Sequence, residues 1–345
     1  MIVQTQRMVR RRRSLIALLS ALALLAACGG SGGESADTSD TPTSKASEPV
    51  GSEADDPFVA QVASYELVAG QDQRFLAALA GNGTGMVVSF GKVDLEFFFL
   101  GTRAAPIDPP QPKTKAEAIF FPVAGQTVDA NAPGPRVAKP SEGLGVYAAE
   151  AVRFDAPGFW GVKVKATIDG KAISANAAFE VVGESQLPFP GKPAPRTENP
   201  IAGAVGVDPT AIDSRAKDGQ APPDPMLHST TVAAALAAGK PTVVVVSTPV
   251  YCVSQFCGPI TDSAAKLAEK FGDRVAFVHL EVWKDFEKKF VNPAAAEWIS
   301  PRNGVGDTQE PWVFLVGADG VVKQRFDNVI GDAAFEAAAT SLAAG

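Results

Sequence analysis

Two of the three cysteines in this 345-residue chain stand five positions apart in PVYCVSQFCGPI, residues 249 to 260. A thiol pair this close can exchange disulfides, clip a soft metal ion or form a fixed structural bridge. On an ideal helix, residues five apart have Cα atoms about 8.6 Å apart. A disulfide needs them within roughly 7 Å. Cys252 and Cys257 therefore cannot be bonded and both lie in one regular helix. The apolar positions Ile260, Ala264, Leu267, Ala268 and Phe271 recur at helical spacing, and Pro259 suits a first turn. The helix thus begins near Cys257 and leaves Cys252 in the loop before it.

The segment preceding that loop is Pro241 to Ser247, PTVVVVS, a continuous β-branched run that reads as a strand buried on both faces. Before it, Ser229 or Thr230 can cap a helix that runs to Ala238 and stops at Gly239. Arg274 to Val282 reads as a further strand, and Pro293 to Ile299 as a helix. Trp312 to Val316 and Val321 to Phe326, joined by Gly317-Ala318-Asp319-Gly320, read as a hairpin. An alanine-rich helix follows over about Asp332 to Ala343. In order the elements are α, β, α, β, α, β, β, α.

That order, with a cysteine between a buried strand and a helix, resembles the thioredoxin fold over roughly Thr230 to Ala343. The resemblance rests on Val243 to Cys252 with Tyr251 before the first cysteine, on Cys257-Gly258-Pro259, and on Glu310-Pro311-Trp312-Val313-Phe314-Leu315-Val316. It implies that Pro311 is cis and faces the cysteines, and that Cys252, Cys257 and Pro311 form a redox site. Tyr251, Phe256 and Trp312 are the expected apolar surround for a substrate. The family's pair stands three apart, so two registers compete for the attacking position. Cys257 is preferred, because a helix N-terminus stabilises a thiolate, with Cys252 as resolving or bonding partner. Loop accessibility argues the reverse.

The remainder of the chain reads as four further segments. Residues 1–27 carry Arg7, Arg10 to Arg13 and the apolar run Leu15 to Ala27, the pattern of a signal peptide. The run ends Leu25-Ala26-Ala27-Cys28, which resembles the lipobox of bacterial lipoproteins and implies a lipid on Cys28. Residues 28–57 are small, polar and acidic, a composition expected of a disordered tether. Residues 58–183 show short alternating runs, of which Trp160, Val162, Val164, Ala166 and Ile168 are the clearest, and Asp169-Gly170 marks a hairpin. A β-sandwich of immunoglobulin-like type is expected there, with the proline-rich Pro106 to Pro112 as a surface loop. Residues 184–226 hold nine prolines and read as a semi-extended linker that wraps the next domain. Residues 227–345 are the thioredoxin-like domain.

Chemistry elsewhere is sparse. The chain has two histidines, His228 and His279. His279 alternates with Phe277 and Glu281 and reads as a strand histidine. No phosphate loop, zinc spacing or serine triad appears, so no cofactor and no metal are expected. Losing the leader's five arginines leaves 26 basic residues against 38 acidic ones, a formal charge near −12. Such a surface repels nucleic acid. The expected partners are a membrane, through the lipid on Cys28, and exported proteins or a thiol–disulfide partner. Three functions fit: a thiol–disulfide oxidoreductase on the outer face of the cell membrane, a non-enzymatic surface lipoprotein with a structural Cys252–Cys257 bridge and a partner-binding β-sandwich, or Cu(I) handling by two thiolates and a histidine.

Overall fold

The computed structural model describes residues 57–123, 133–304 and 306–345. The expected signal peptide, the expected lipidation site Cys28 and all but the last residue of the expected tether lie outside the described residues. Among those described, no helix is long and apolar enough to cross a membrane.

The N-terminal half is all antiparallel β: β1 (Phe58–Val62), β2 (Asp72–Gly81), β3 (Val87–Ser89), β4 (Lys92–Gly101), β5 (Pro106–Pro122), β6 (Arg136–Ala138), β7 (Gly145–Arg153), β8 (Gly158–Ile168) and β9 (Lys171–Val181). A one-turn helix α1 (Pro140–Gly143) precedes β7. Hydrogen bonding runs in the order β6-β3-β2-β7-β5-β4-β8-β9, with β1 added to β2. The sheet curls upon itself. Phe75 of β2 and Phe179 of β9 stand far apart in the ladder, yet their ring centroids are 5.2 Å apart. Phe97, Phe154 and Trp160 complete this core. The Asp169-Gly170 turn has both residues at positive φ, 50° and 74°, the geometry a two-residue hairpin demands.

Pro106 to Pro112, expected as a surface loop, belongs instead to the 17-residue strand β5. Prolines are tolerated there because this half of β5 pairs with β4 alone. The β5–β7 ladder covers only Ile119 to Pro122. The missing N–H groups therefore fall on an open edge or at the register shifts.

The C-terminal half alternates helix and strand: α2 (Val232–Ala237), β10 (Thr242–Ser247), α3 (Cys257–Phe271), β11 (Ala276–Glu281), the short pair β12 (Trp283–Asp285) and β13 (Phe290–Val291), α4 (Pro293–Ile299), β14 (Trp312–Val316), β15 (Val322–Asp327) and α5 (Asp332–Ala344). Thr231 caps α2 by accepting from the Ala234 N–H, one residue beyond the expected cap. A four-stranded mixed sheet runs β11-β10-β14-β15, with only β10 and β11 parallel. Val243 to Val246 of β10 are fully buried. Val243 and Val245 pack toward α3 and α5, while Val244 and Val246 pack toward α2 and α4. The uninterrupted valine run is explained by these two covered faces.

The two halves share buried surface. In β2, Phe75 and Ala77 face the β core, whereas Leu76 packs against the α/β half with Val329, Ile330 and Phe335. In β7, Tyr147 and Ala149 face inward while Val146 and Ala148 face the same partners as Leu76. Polar groups pin the seam. Arg74 donates to the Asp327 carbonyl at 2.8 Å, the Tyr65 N–H donates to the Asp327 carboxylate at 2.7 Å, and Glu66 pairs with Arg325 at 2.7 Å. The proline-rich stretch is also packed. Asn199 accepts from the Val232 N–H at 2.9 Å, Thr197 accepts from the Trp298 indole at 2.9 Å, and Pro193 bridges Val321.

Candidate functional site around Cys252 and Cys257

The cysteine loop leaves the C-terminal end of β10 and closes on the first turn of α3. Cys252 and Cys257 are bonded, with Cα atoms 6.0 Å apart. That lies within the ordinary disulfide range and confirms that Cys252 cannot be helical. The two sulfurs sit in unlike places. Cys257 is fully buried, whereas Cys252 is half-buried. The Cys257 N–H, one of the unpaired amides of the α3 start, donates to Cys252 Sγ at 3.4 Å, and Ser254 Oγ lies 3.2 Å from the same sulfur. The helix terminus thus serves the loop cysteine. In this bonded form Cys257, which the helix-terminus argument prefers, is the less accessible of the two sulfurs.

Gln255 enables the closure by taking φ 64°, a left-handed conformation, immediately before the helix. The helix start is tied to the strand end. Thr261 Oγ1 donates to the Cys257 carbonyl at 2.8 Å, so Ser247 Oγ must donate to Thr261 Oγ1, 2.7 Å away.

The expected substrate surround does not form one surface. Tyr251 stacks on Phe286 with centroids 3.9 Å apart and planes 3° apart. Phe256 is buried on the α3 side of the sheet and Trp312 on the α4 side. Trp312 meets Tyr65 from the N-terminal half, 5.7 Å between centroids. The apolar groups that do reach solvent beside the cysteines are Val250 and Val253, 55% and 96% exposed. The Glu310–Pro311 peptide is cis, and the Pro311 carbonyl accepts from the Asn328 N–H at 2.9 Å. Tyr65 donates its hydroxyl to the Glu310 carbonyl at 2.7 Å, and burial raises the Glu310 carboxyl.

Beneath the loop lies a buried polar cluster that sequence reading did not assemble. Asp213 receives Arg215 Nη2 at 2.7 Å and Nε at 3.0 Å. His228 Nε2 lies 3.2 Å and His279 Nδ1 3.5 Å from Asp213 Oδ2. Burial alone would raise the Asp213 carboxyl, but hydrogen bonds from His228 and Arg215 outweigh it and hold the group far below the usual range. Burial pulls His279 down to about 4 and pushes Glu281 up to about 7. Glu281 accepts from the Ser214 N–H at 2.8 Å, and Ser214 Oγ accepts from the Val250 N–H at 3.1 Å, which links cluster to loop. Asp213 falls in the stretch expected as linker, and residues 213, 228 and 279 share no spacing that a sequence pattern could detect. Among the described residues, this cluster includes no cysteine.

No protein-family model matches the chain. No curated protein matches it either.

Proposed function

We propose that this chain is a lipid-anchored, extracytoplasmic oxidoreductase. A thioredoxin-like domain would exchange disulfides through Cys252 and Cys257, and an immunoglobulin-like sandwich would set it off the membrane. The observation that carries the reading is the asymmetry of the pair. One sulfur is reachable and receives an N–H from the helix start, and its partner is buried directly behind it. Further support comes from the mixed sheet with helices on both faces, and from the cysteine loop at the C-terminal end of β10, where open α/β sheets place their sites.

Exchange then proceeds in two balanced steps. The Cys252 thiolate attacks one sulfur of a substrate disulfide, and the other substrate sulfur leaves as a thiolate. Cys257 gives up its proton and attacks Cys252 Sγ, which expels the second substrate thiolate and re-forms the Cys252–Cys257 bond. Two electrons pass to the substrate, and the reverse sequence oxidises a substrate dithiol. The N–H at Cys252 stabilises the thiolate at the start of reduction and at the end of oxidation.

The test is the reduction potential of the pair, by alkylation and mass spectrometry across a dithiothreitol series. A value between roughly −120 and −270 mV is expected for an exchange enzyme. A value below about −300 mV, characteristic of structural bridges, overturns the proposal in favour of a non-enzymatic lipoprotein whose bridge braces the loop. The Cu(I) reading draws no support from the geometry, because both histidines turn to Asp213.

A further inference from the structure

The cluster under the cysteine loop has an imbalance that hydrogen bonding does not resolve. His279 Nε2 lies 3.2 Å from the Ser247 carbonyl, which can only accept, so Nε2 carries the hydrogen. In the neutral ring Nδ1 is then a bare lone pair. It faces Asp213 Oδ2, another acceptor, at 3.5 Å. His279 Nδ1 and His228 Nδ1 are both buried ring nitrogens without a hydrogen-bond partner, and both side chains are fully buried. Asp213 Oδ2 already receives Arg215 and His228, but His279 Nδ1 has only this facing acceptor, and a proton or a metal ion between the two would relieve the repulsion.

We propose that Asp213, His228 and His279 bind one divalent transition-metal ion of the zinc class. Each residue offers one ligand atom, and the three atoms lie within 4.8 Å of one another. The two separations on Asp213 Oδ2, 3.2 and 3.5 Å, bracket the edge of about 3.4 Å expected for a tetrahedron with ligands about 2.1 Å from zinc; His228 would ligate through Nε2 as the Nδ1–H tautomer, giving up the hydrogen bond it donates to Asp213. Two imidazoles with a single carboxylate favour a borderline ion over calcium or magnesium, which take mainly oxygen. Charge permits it. Arg215 is the cation paired with Asp213, and it also pairs with Asp224 at 2.8 Å and Asp262 at 2.9 Å. One guanidinium thus offsets only one of three carboxylates.

The three ligands come from separate parts of the chain: the turn after Pro209–Ala211, the end of the turn Pro225–His228, and the middle of β11. An ion would staple the proline-rich stretch to the sheet and, through Ser214 and Val250, seat the cysteine loop. The proposal stands independently of exchange chemistry at the cysteines.

The experiment loads the full chain separately with Zn²⁺ and Co²⁺, removes loose ion by gel filtration, and counts metal by mass spectrometry. One ion per chain is expected, and it is retained in the C252S/C257S double variant, which removes every thiolate of the pair. The Co²⁺ form should show the strong visible bands of a tetrahedral nitrogen–oxygen site without thiolate charge transfer. H279Q and D213N should each weaken binding by about 10-fold or more. If either variant fails to fold, zinc-edge absorption of the unaltered chain decides, because two imidazoles must appear in the scattering. A folded, unaltered chain that retains no stoichiometric ion overturns the proposal and leaves a proton shared by His279 and Asp213. An ion lost in the cysteine double variant overturns it as well.

Discussion

At the scale of single residues, Cys252 and Cys257 are chemically identical and differ only in where they stand. Cys257 is the first residue of α3 and has no exposed surface. Cys252 is half-buried and accepts the Cys257 N–H. The roles are therefore predicted to separate cleanly on substitution. C252A should lower the reduction of a protein disulfide to the uncatalysed rate. C257A should still attack and then stall, so that a covalent substrate–Cys252 adduct accumulates and is seen as added mass under non-reducing conditions. An adduct on Cys257 in C252A would reverse the assignment. Both cysteines and their spacing are legible in the sequence, as is the exclusion of Cys252 from the helix. Which sulfur is exposed was not, because it depends on Gln255 turning left-handed and on Phe256 burying itself behind the loop.

At the scale of elements, β4 is held to both neighbours by one carboxylate. Glu96 pairs with Lys115 of β5 at 2.8 Å and with Lys165 of β8 at 2.6 Å. These hydrogen bonds hold its carboxyl at about 2, below the ordinary 4.5. A depressed carboxyl contributes stability that is full above the unfolded value and is lost as pH falls toward the folded one. E96Q should therefore be less stable than the parent above pH 4.5, by a modest and salt-sensitive margin typical of surface pairs. The two should converge near pH 2. Urea midpoints measured across that window check this, and a gap that persists at pH 2 would show that charge is not the cause. Elements with a clear period were readable: β8, β9 and their Asp-Gly turn, β10, α3 and the β14–β15 hairpin. The first half of β5 was not, since four prolines in seven residues argue for a loop unless one edge is left unpaired.

At the scale of the whole molecule, the halves are joined by a buried charge pair. Glu66 and Arg325 are each 9% exposed, and Arg325 also lies over Trp312 at 5.0 Å. R325A removes the counter-ion of Glu66 in a dry seam and should destabilise the fold by about 3–5 kcal/mol. The double replacement E66L/R325M should recover part of that loss, because the desolvated charge goes as well, although Ser185 and the Gln186 N–H lose their acceptor. Denaturant midpoints of both variants make the comparison. The shared packing of Leu76, Val146 and Ala148 against Ile330 and Phe335 leads to a second expectation. The halves should unfold together, with Trp160 in β8 and Trp298 in α4 reporting the same midpoint when each is the retained fluorophore. Two separated transitions would show that the seam does not couple them.

The amino-acid sequence was enough for the periodic elements, for the order α, β, α, β, α, β, β, α apart from the short β12–β13 pair that it missed before the third helix, and for the constraint on the cysteine pair. Each of these is local: a repeat of two or 3.6 residues, or a distance along one helix. Only the tertiary structure decided which cysteine is exposed, that β2 and β7 bury both faces, and that Asp213, His228 and His279 meet. These depend on contacts between segments up to hundreds of residues apart, and no spacing along the chain encodes them. The apolar runs RFLAAL and VYAA already hint at two covered faces, but not at what covers them. Asp213 sits among prolines that forbid regular structure, so its partners are set by how that stretch folds back over β11.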